Sequence, residues 1–185
     1  GSANGALGAA IPMGASTLRG TNRMRKGDLN GRRVWITGAS SGIGREVARQ
    51  LAQRGCRLAV SARRAPLLQE LVEELGSDHA RAFPLDVTDR RANLDAVERI
   101  REVWGGLDIV FLNAGACEYL TAGPFDSAVF ERMMTVNCLS TVYGIEAALP
   151  LLRESPHPLL VGMSSTAAYR GLPRTAAYGA SKAAV

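Results

Sequence analysis

Cysteine is scarce in this chain and scattered: Cys56, Cys117 and Cys138 form no C-x-x-C pair. An odd number of widely spaced cysteines fits free thiols in a reducing compartment and excludes a disulfide framework. Histidine is scarcer still. His79 and His157 stand far apart, the second between Pro156 and Pro158, so no metal site is expected. No apolar run approaches the roughly 20 residues of a bilayer-spanning helix, so no membrane partner is expected. An excess charge of one sign is also lacking from most of the chain. Residues 28–185 carry eighteen basic side chains against all 17 acids, which offers no basic surface to a nucleic acid.

The positive excess falls on residues 1–27, where Arg19, Arg23, Arg25 and Lys26 meet no acid. These follow the Gly-, Ala- and Ser-rich part instead of preceding it, the wrong order for a secretory signal; an acid-free, Arg-bearing organelle transit peptide is the alternative. Gly1 is no initiator, and Met24 offers another start. Residues 1–31 are expected to be a leader or disordered segment, and residues 32–185 one folded domain.

From Arg32 the chain alternates short apolar runs with amphipathic stretches. Strands are expected at 33–37, 57–61, 80–85, 108–112 and 159–163, the third weakened by Pro84. Helices are expected at 45–54, 66–75, 94–104 and about 127–152, with another beginning near Thr175. Strands alternating with helices of ten or more residues imply right-handed βαβ units. The fold class is therefore doubly wound α/β with a parallel, Rossmann-like sheet. It is expected to be incomplete on its C-terminal side, because the sequence stops inside the last helix.

Thr37-Gly38-Ala39-Ser40-Ser41-Gly42-Ile43-Gly44 falls between the first strand and the first helix. Glycines there let main-chain N–H groups approach a phosphate, and the helix adds the positive end of its dipole. No Gly-Lys-Ser/Thr follows, so a Walker loop is excluded. After the second strand an NAD site normally offers an acid to the ribose. Here the strand ends Ser61-Ala62-Arg63-Arg64, and guanidiniums suit a 2′-phosphate. NADP is therefore preferred, with NAD possible.

Near the end stands Tyr178-Gly179-Ala180-Ser181-Lys182. Residues four apart on a helix share a face, with Cβ atoms about 5–6 Å apart. An ammonium near a phenol favours the phenolate, which brings a group of reference pKa near 10 toward acid–base use at neutrality. Lys182 is the single lysine in residues 28–185, and arginine's diffuse charge would not replace it. Gly162-Met163-Ser164-Ser165-Thr166 lacks the second glycine of a nucleophile elbow, which excludes a serine hydrolase of that type.

In this order and spacing the residues resemble the short-chain dehydrogenase/reductase family from Val34 to the last residue. Thr37 to Gly44 is similar to the family's T-G-x-x-x-G-x-G cofactor turn, and Asp86-Val87 to its adenine-contacting pair. Asn113-Ala114-Gly115 matches the N-A-G that supports the sheet and borders the cofactor. Asn137 falls where the family has its helix asparagine, and Ser165 precedes Tyr178 by thirteen residues. The resemblance implies carbonyl–alcohol interconversion beside a bound nicotinamide. Tyr178 would be the acid and base, Lys182 would tune it and hold the ribose, Ser165 would hold the substrate oxygen, and Asn137 would anchor a proton-relay water. It also implies a cytoplasmic homodimer or homotetramer acting on a small carbonyl or alcohol. Two other readings stay open. One is a non-catalytic dinucleotide-binding sensor of the same fold, which would not need all four polar residues. The other is a sugar-nucleotide epimerase or dehydratase, whose turn usually reads G-x-x-G-x-x-G.

Overall fold

The structure, a computed structural model, describes residues 29–185. Residues 1–28, the greater part of the expected leader, lie outside that range. Leu29 to Gly31 form a turn: the Gly31 amide donates to Gly55 O, and the Cys56 thiol donates to Leu29 O.

Five strands alternate with helices: β1 Arg33–Thr37, β2 Arg57–Ser61, β3 Ala80–Ala82, β4 Ile109–Leu112 and β5 Leu159–Gly162. All pair in parallel, in the order β3-β2-β1-β4-β5. The chain winds one way from β1 to β3 and then returns to the other side of β1. That reversal leaves a crevice between the C-terminal ends of β1 and β4, the place where such sheets take ligands.

Alternation along β1 supplies both cores. Val34 and Ile36 face α1 (Gly42–Ala52) and α2 (Ala65–Leu75), among Leu58, Val60, Leu68 and Leu71. Trp35 faces the opposite layer with Val110, Ile100, Ala148 and Leu151, from α3 (Arg90–Trp104) and α5 (Ser140–Glu154). The Trp35 indole N–H donates to Ser61 Oγ, so the largest core side chain leaves no unpaired donor.

Several elements differ from the sequence expectation. Strand β3 stops at Ala82, although the Phe83 and Leu85 amides still donate to Val60 O and Ala62 O. Pro84 is tolerated between them because the strand is at the sheet edge. Helix α3 begins at Arg90, four residues early, since the Asp89 carboxylate accepts from the Arg91 and Ala92 amides. The long C-terminal helical tract is three pieces: α4 (Ser127–Met133), a π-helical turn (Met134–Leu139) and α5. Taken together, Ser127–Glu154 is long and apolar enough to cross a membrane by length and composition alone. In the fold its inner face packs on α3, β4 and, through α4, on α6 (Ala176–Ala183).

Two sequence-distant ends are tied beneath the sheet. Arg33 donates through its amide, Nε and Nη2 to the Asp108 carboxylate at 3.0, 3.0 and 2.8 Å, and Ser155 Oγ adds a bond of 2.7 Å. Burial pushes the Asp108 carboxyl up, but these hydrogen bonds outweigh it and hold the group well below the usual carboxylate range.

Candidate active site

At the top of β1 the Thr37 hydroxyl, 3% exposed, accepts the amides of Asn113 and Ala114 at 3.1 and 3.2 Å. Asn113 Nδ2 returns two bonds, to Thr37 O and Gly38 O at 3.2 and 3.3 Å. The tips of β1 and β4 are thereby locked together. A Cβ on Gly44 would stand 2.5 Å from Gly38 O and 2.6 Å from Asn113 Nδ2, so helix α1 can lie this close only through glycine. Gly38 and Gly42 have φ of 68° and 56°, and beside Gly42 the space is open. The turn is thus both left-handed and unobstructed.

Helix α1 starts at Gly42, earlier than expected, directly after Ser40 and Ser41 of the cleft wall. Ser41 stands at its N-cap without making a cap hydrogen bond, and no acid occupies the first turn. Both observations suit an anion at this end. The side chains of Ser40 and Ser41 are held by Arg64, whose Nη2 donates 2.9 Å bonds to both hydroxyls. Arg63 lies beside Asp86. Burial raises the Asp86 carboxyl, while the amide and hydroxyl of Thr88 and then the Arg63 charge bring it below its ordinary value. Gly38, Ser40, Ser41, Arg63, Arg64, Asp86, Val87 and Asn113–Gly115 line one cleft of about 490 Å³. This donor set, with cationic side chains at one end and a helix N-terminus close by, fits the phosphates of a dinucleotide.

A second cavity of about 360 Å³ shares Asn113, Gly115 and Ala116 with that cleft. Ile43, Ser165, Tyr178 and Lys182 line it. Tyr178 and Lys182 come from α6, Ser165 from the end of β5, and Ile43 from the glycine turn. Lys182 is 4% exposed, its Nζ donates to Met163 O at 2.7 Å, and burial lowers its pKa. The Ser165 hydroxyl accepts the Ala167 amide. Its neighbour Ser164 instead donates to Lys182 O at 2.7 Å, which commits that hydroxyl to the backbone.

Asn137, wholly buried, sits in the π-helical turn, a distortion often found at functional sites. Its Oδ1 accepts from Ala116 N, and its Nδ2 donates to Ala116 O and Ser181 Oγ, each at 2.9 Å. Ser181 Oγ donates on to Tyr178 O. Asn137 Oδ1 and Lys182 Nζ lie 2.9 and 3.2 Å from the point where a Gly115 Cβ would sit. One buried amide therefore joins the loop after β4, the long helix and α6.

Of the residues singled out in the sequence, Gly38, Ser40, Ser41, Arg63, Asp86, Val87 and Asn113–Gly115 line the cleft and Ile43, Ser165, Tyr178 and Lys182 the smaller cavity, whereas Thr37, Gly42, Gly44 and Asn137 line neither. Reasoning from sequence weighed Arg63 and Arg64 together and did not single out Ser181 or Asn93. Ser181 stands inside a motif already quoted, beside residues that drew the attention. Asn93 is wholly buried in α3 and donates to Val87 O and Asp89 O, bracing the Asp86-Val87 segment. No pattern in the sequence marks it.

Comparison with known proteins agrees with this geometry. The profile of the short chain dehydrogenase family matches residues 32–185. Uncharacterized oxidoreductases of Listeria monocytogenes and Myxococcus xanthus are 36% and 37% identical over 82% and 84% of this chain. The crystal structure of a short chain dehydrogenase from Mycobacterium smegmatis superposes with a TM-score of 0.80 at 27% identity, covering 86% of this chain and 68% of that one. The chain belongs to the short chain dehydrogenase family and has a Rossmann-like fold. It spans 62% of the length of the two uncharacterized relatives.

Proposed function

We propose that the protein carrying this chain is an NADP(H)-dependent oxidoreductase that interconverts a carbonyl and an alcohol. The observation that carries the reading is the convergence of Tyr178, Lys182 and Ser165 on one cavity that shares Asn113, Gly115 and Ala116 with the cleft above the glycine turn. When bound, the nicotinamide cofactor supplies or takes the hydride. Tyr178 gives a proton to the carbonyl oxygen, or removes one from the alcohol in reverse. Ser165, whose oxygen accepts from Ala167 N, directs its own proton at the substrate oxygen. Lys182 places a cation behind the phenol. Its burial makes that proton easier to lose, which suits a group that relays protons. Asn137 fixes the wall beside Lys182, and in this reading it would anchor a water linking Lys182 to solvent.

Preference for NADP rests on Arg63 and Arg64 at the end of β2, where Ala62 stands in place of an acid. Ser40 and Ser41, bonded to Arg64, would hold its guanidinium toward the 2′-phosphate. The three free thiols support the reading of a cytoplasmic location. No nucleic acid or membrane enters the reading. The exposed apolar Leu139 and Val142 on the long helix suit a homodimer or homotetramer.

The test is NADPH oxidation by the full-length protein against a panel of aldehydes and ketones, beside a Tyr178→Phe variant. Turnover in the wild type and its loss in the variant support the assignment. Equal rates in both would remove it.

A further inference from the structure

Among the described residues, Arg174 is the one non-glycine with positive φ, at 63°. It follows Pro173, and both the amide and the hydroxyl of Thr175 donate to Leu172 O, at 3.3 and 3.0 Å. Leu172-Pro173-Arg174-Thr175 is therefore a tight turn with proline second and a left-handed residue third, a position that glycine normally fills because it bears no Cβ. An arginine held there against its backbone preference points to work done by its side chain.

That side chain reaches across to another loop. Arg174 Nε donates to Leu120 O at 2.8 Å, and Leu120 N donates back to Arg174 O at 2.7 Å. Leu120 lies three residues beyond Cys117, on the loop whose Gly115, Ala116 and Cys117 wall the smaller cavity. Arg174 lies two residues before α6, which brings Tyr178 and Lys182 to the same cavity. The Leu120 side chain packs on Val129, Met133 and Ala177, so the reciprocal pair is seated on α4 and α6.

We infer that Arg174 is a positioning residue. It clasps the loop after β4 to the turn entering α6 and so fixes the width of the substrate cavity opposite Tyr178. The inference rests on the catalytic reading above. Arg174 and Leu120 line neither space, so the clasp acts through the loop and α6. Loop residues wall both spaces, but α6 contributes only to the smaller cavity, so the clasp should govern the carbonyl substrate and leave cofactor affinity unchanged.

The test uses Arg174→Gly, Arg174→Ala and Arg174→Lys in the full-length protein, with NADPH and 4-nitrobenzaldehyde as probes. Glycine accepts the backbone conformation and removes the side-chain bond, so Arg174→Gly should melt no lower than wild type. Its kcat/KM for the aldehyde should nevertheless fall roughly tenfold or more, with NADPH affinity unchanged. Arg174→Ala should show the same kinetic loss and a lower melting temperature. Arg174→Lys, which can still donate to Leu120 O, should recover part of kcat/KM. Amide exchange over residues 118–122 should quicken in Arg174→Gly, a readout that needs no turnover. Wild-type kcat/KM and wild-type exchange in Arg174→Gly would overturn the clasp. So would a loss of NADPH affinity parallel to the loss of kcat/KM. Tyr178→Phe separates the two readings: full activity there defeats the catalytic proposal, whereas the exchange result judges the clasp by itself.

Discussion

Gly115→Ala adds one methyl group where two functional atoms already stand. The new Cβ would lie 2.9 Å from Asn137 Oδ1, 3.2 Å from Lys182 Nζ and 3.7 Å from Lys182 Cε. Gly115 is not among the residues with positive φ, so alanine meets no backbone strain and the effect is one of packing. Something must yield. Asn137 is pinned by three side-chain hydrogen bonds to Ala116 and Ser181, so the ammonium end of Lys182 and the 114–116 segment move instead. Overpacking of this kind costs roughly 1–3 kcal/mol. Loss of glycine's freedom in the unfolded chain returns about 0.4–1 kcal/mol. The net destabilisation should therefore be small, about 1–2 kcal/mol. Catalysis should suffer far more, because displacing a catalytic group by about 1 Å can cost about a hundredfold. Steady-state NADPH oxidation with an active aldehyde or ketone gives kcat, and a thermal melt on the same preparations gives the stability change. A variant that retains wild-type kcat would refute the placement of Lys182 and Asn137 around Gly115. A variant that loses activity only in proportion to unfolded protein would refute it as well.

Arg64→Ala should weaken NADPH by roughly ten- to a hundredfold, the worth of one charge-assisted contact, and leave NADH nearly unaffected. Titration of cofactor fluorescence measures both, and equal weakening would sink the 2′-phosphate assignment. Asp108→Asn should destabilise the fold by roughly 2–3 kcal/mol, less than a fully buried pair would lose, because the Arg33 side chain keeps 23% exposure. Folding lowers the Asp108 pKa, so the stability it contributes is full above the ordinary carboxylate value and is lost as pH falls toward the depressed folded value. Denaturant melts should show the wild-type advantage flat near neutrality and shrinking in acid; an advantage that grew on acidification would contradict the sign. Iodoacetamide at neutral pH should modify the exposed Cys117 and spare Cys56, which is wholly buried with a thiol pushed up to about 11. Peptide mass mapping checks this, and early labelling of Cys56 would count against the packing of Leu29 over it.

The sheet was legible because buried parallel strands are near-continuous apolar runs. Arg33–Thr37 and Arg57–Ser61 stop where the sequence turns to glycine or to charge, and the structure keeps both bounds. The glycine turn and the Tyr178/Lys182 pair were legible because each places rare residue types at a fixed spacing. The start of α3 was written in Asp89, but the apolar periodicity begins only at Leu94 and drew the boundary there. The π-helical turn was not legible. Met134–Leu139 carries no proline, glycine or charge, and an extra residue in a helical turn changes the phase of the side chains without changing their kind. Arg174 ran against its own signal, since a proline-led turn predicts glycine at that place.

That phase change explains how one helical tract serves two surfaces. Before it, Val129 and Met133 face α6. After it, Ala147, Ala148, Leu151 and Leu152 face the sheet beside α3. A regular helix repeats every 3.6 residues and presents one apolar stripe along its length. The wider turn shifts the stripe between the halves and leaves Asn137 at the seam, wholly buried among polar partners on two other segments. An unpaired amide in that position would be costly, so the seam tolerates Asn137 only while Ala116 and Ser181 are in place. The packing of the long helix and the geometry around Lys182 are consequently one constraint. A substitution at Ala177, which lines neither space, reaches the site through Met133, a wall residue of the dinucleotide cleft that also touches Asn137 Nδ2.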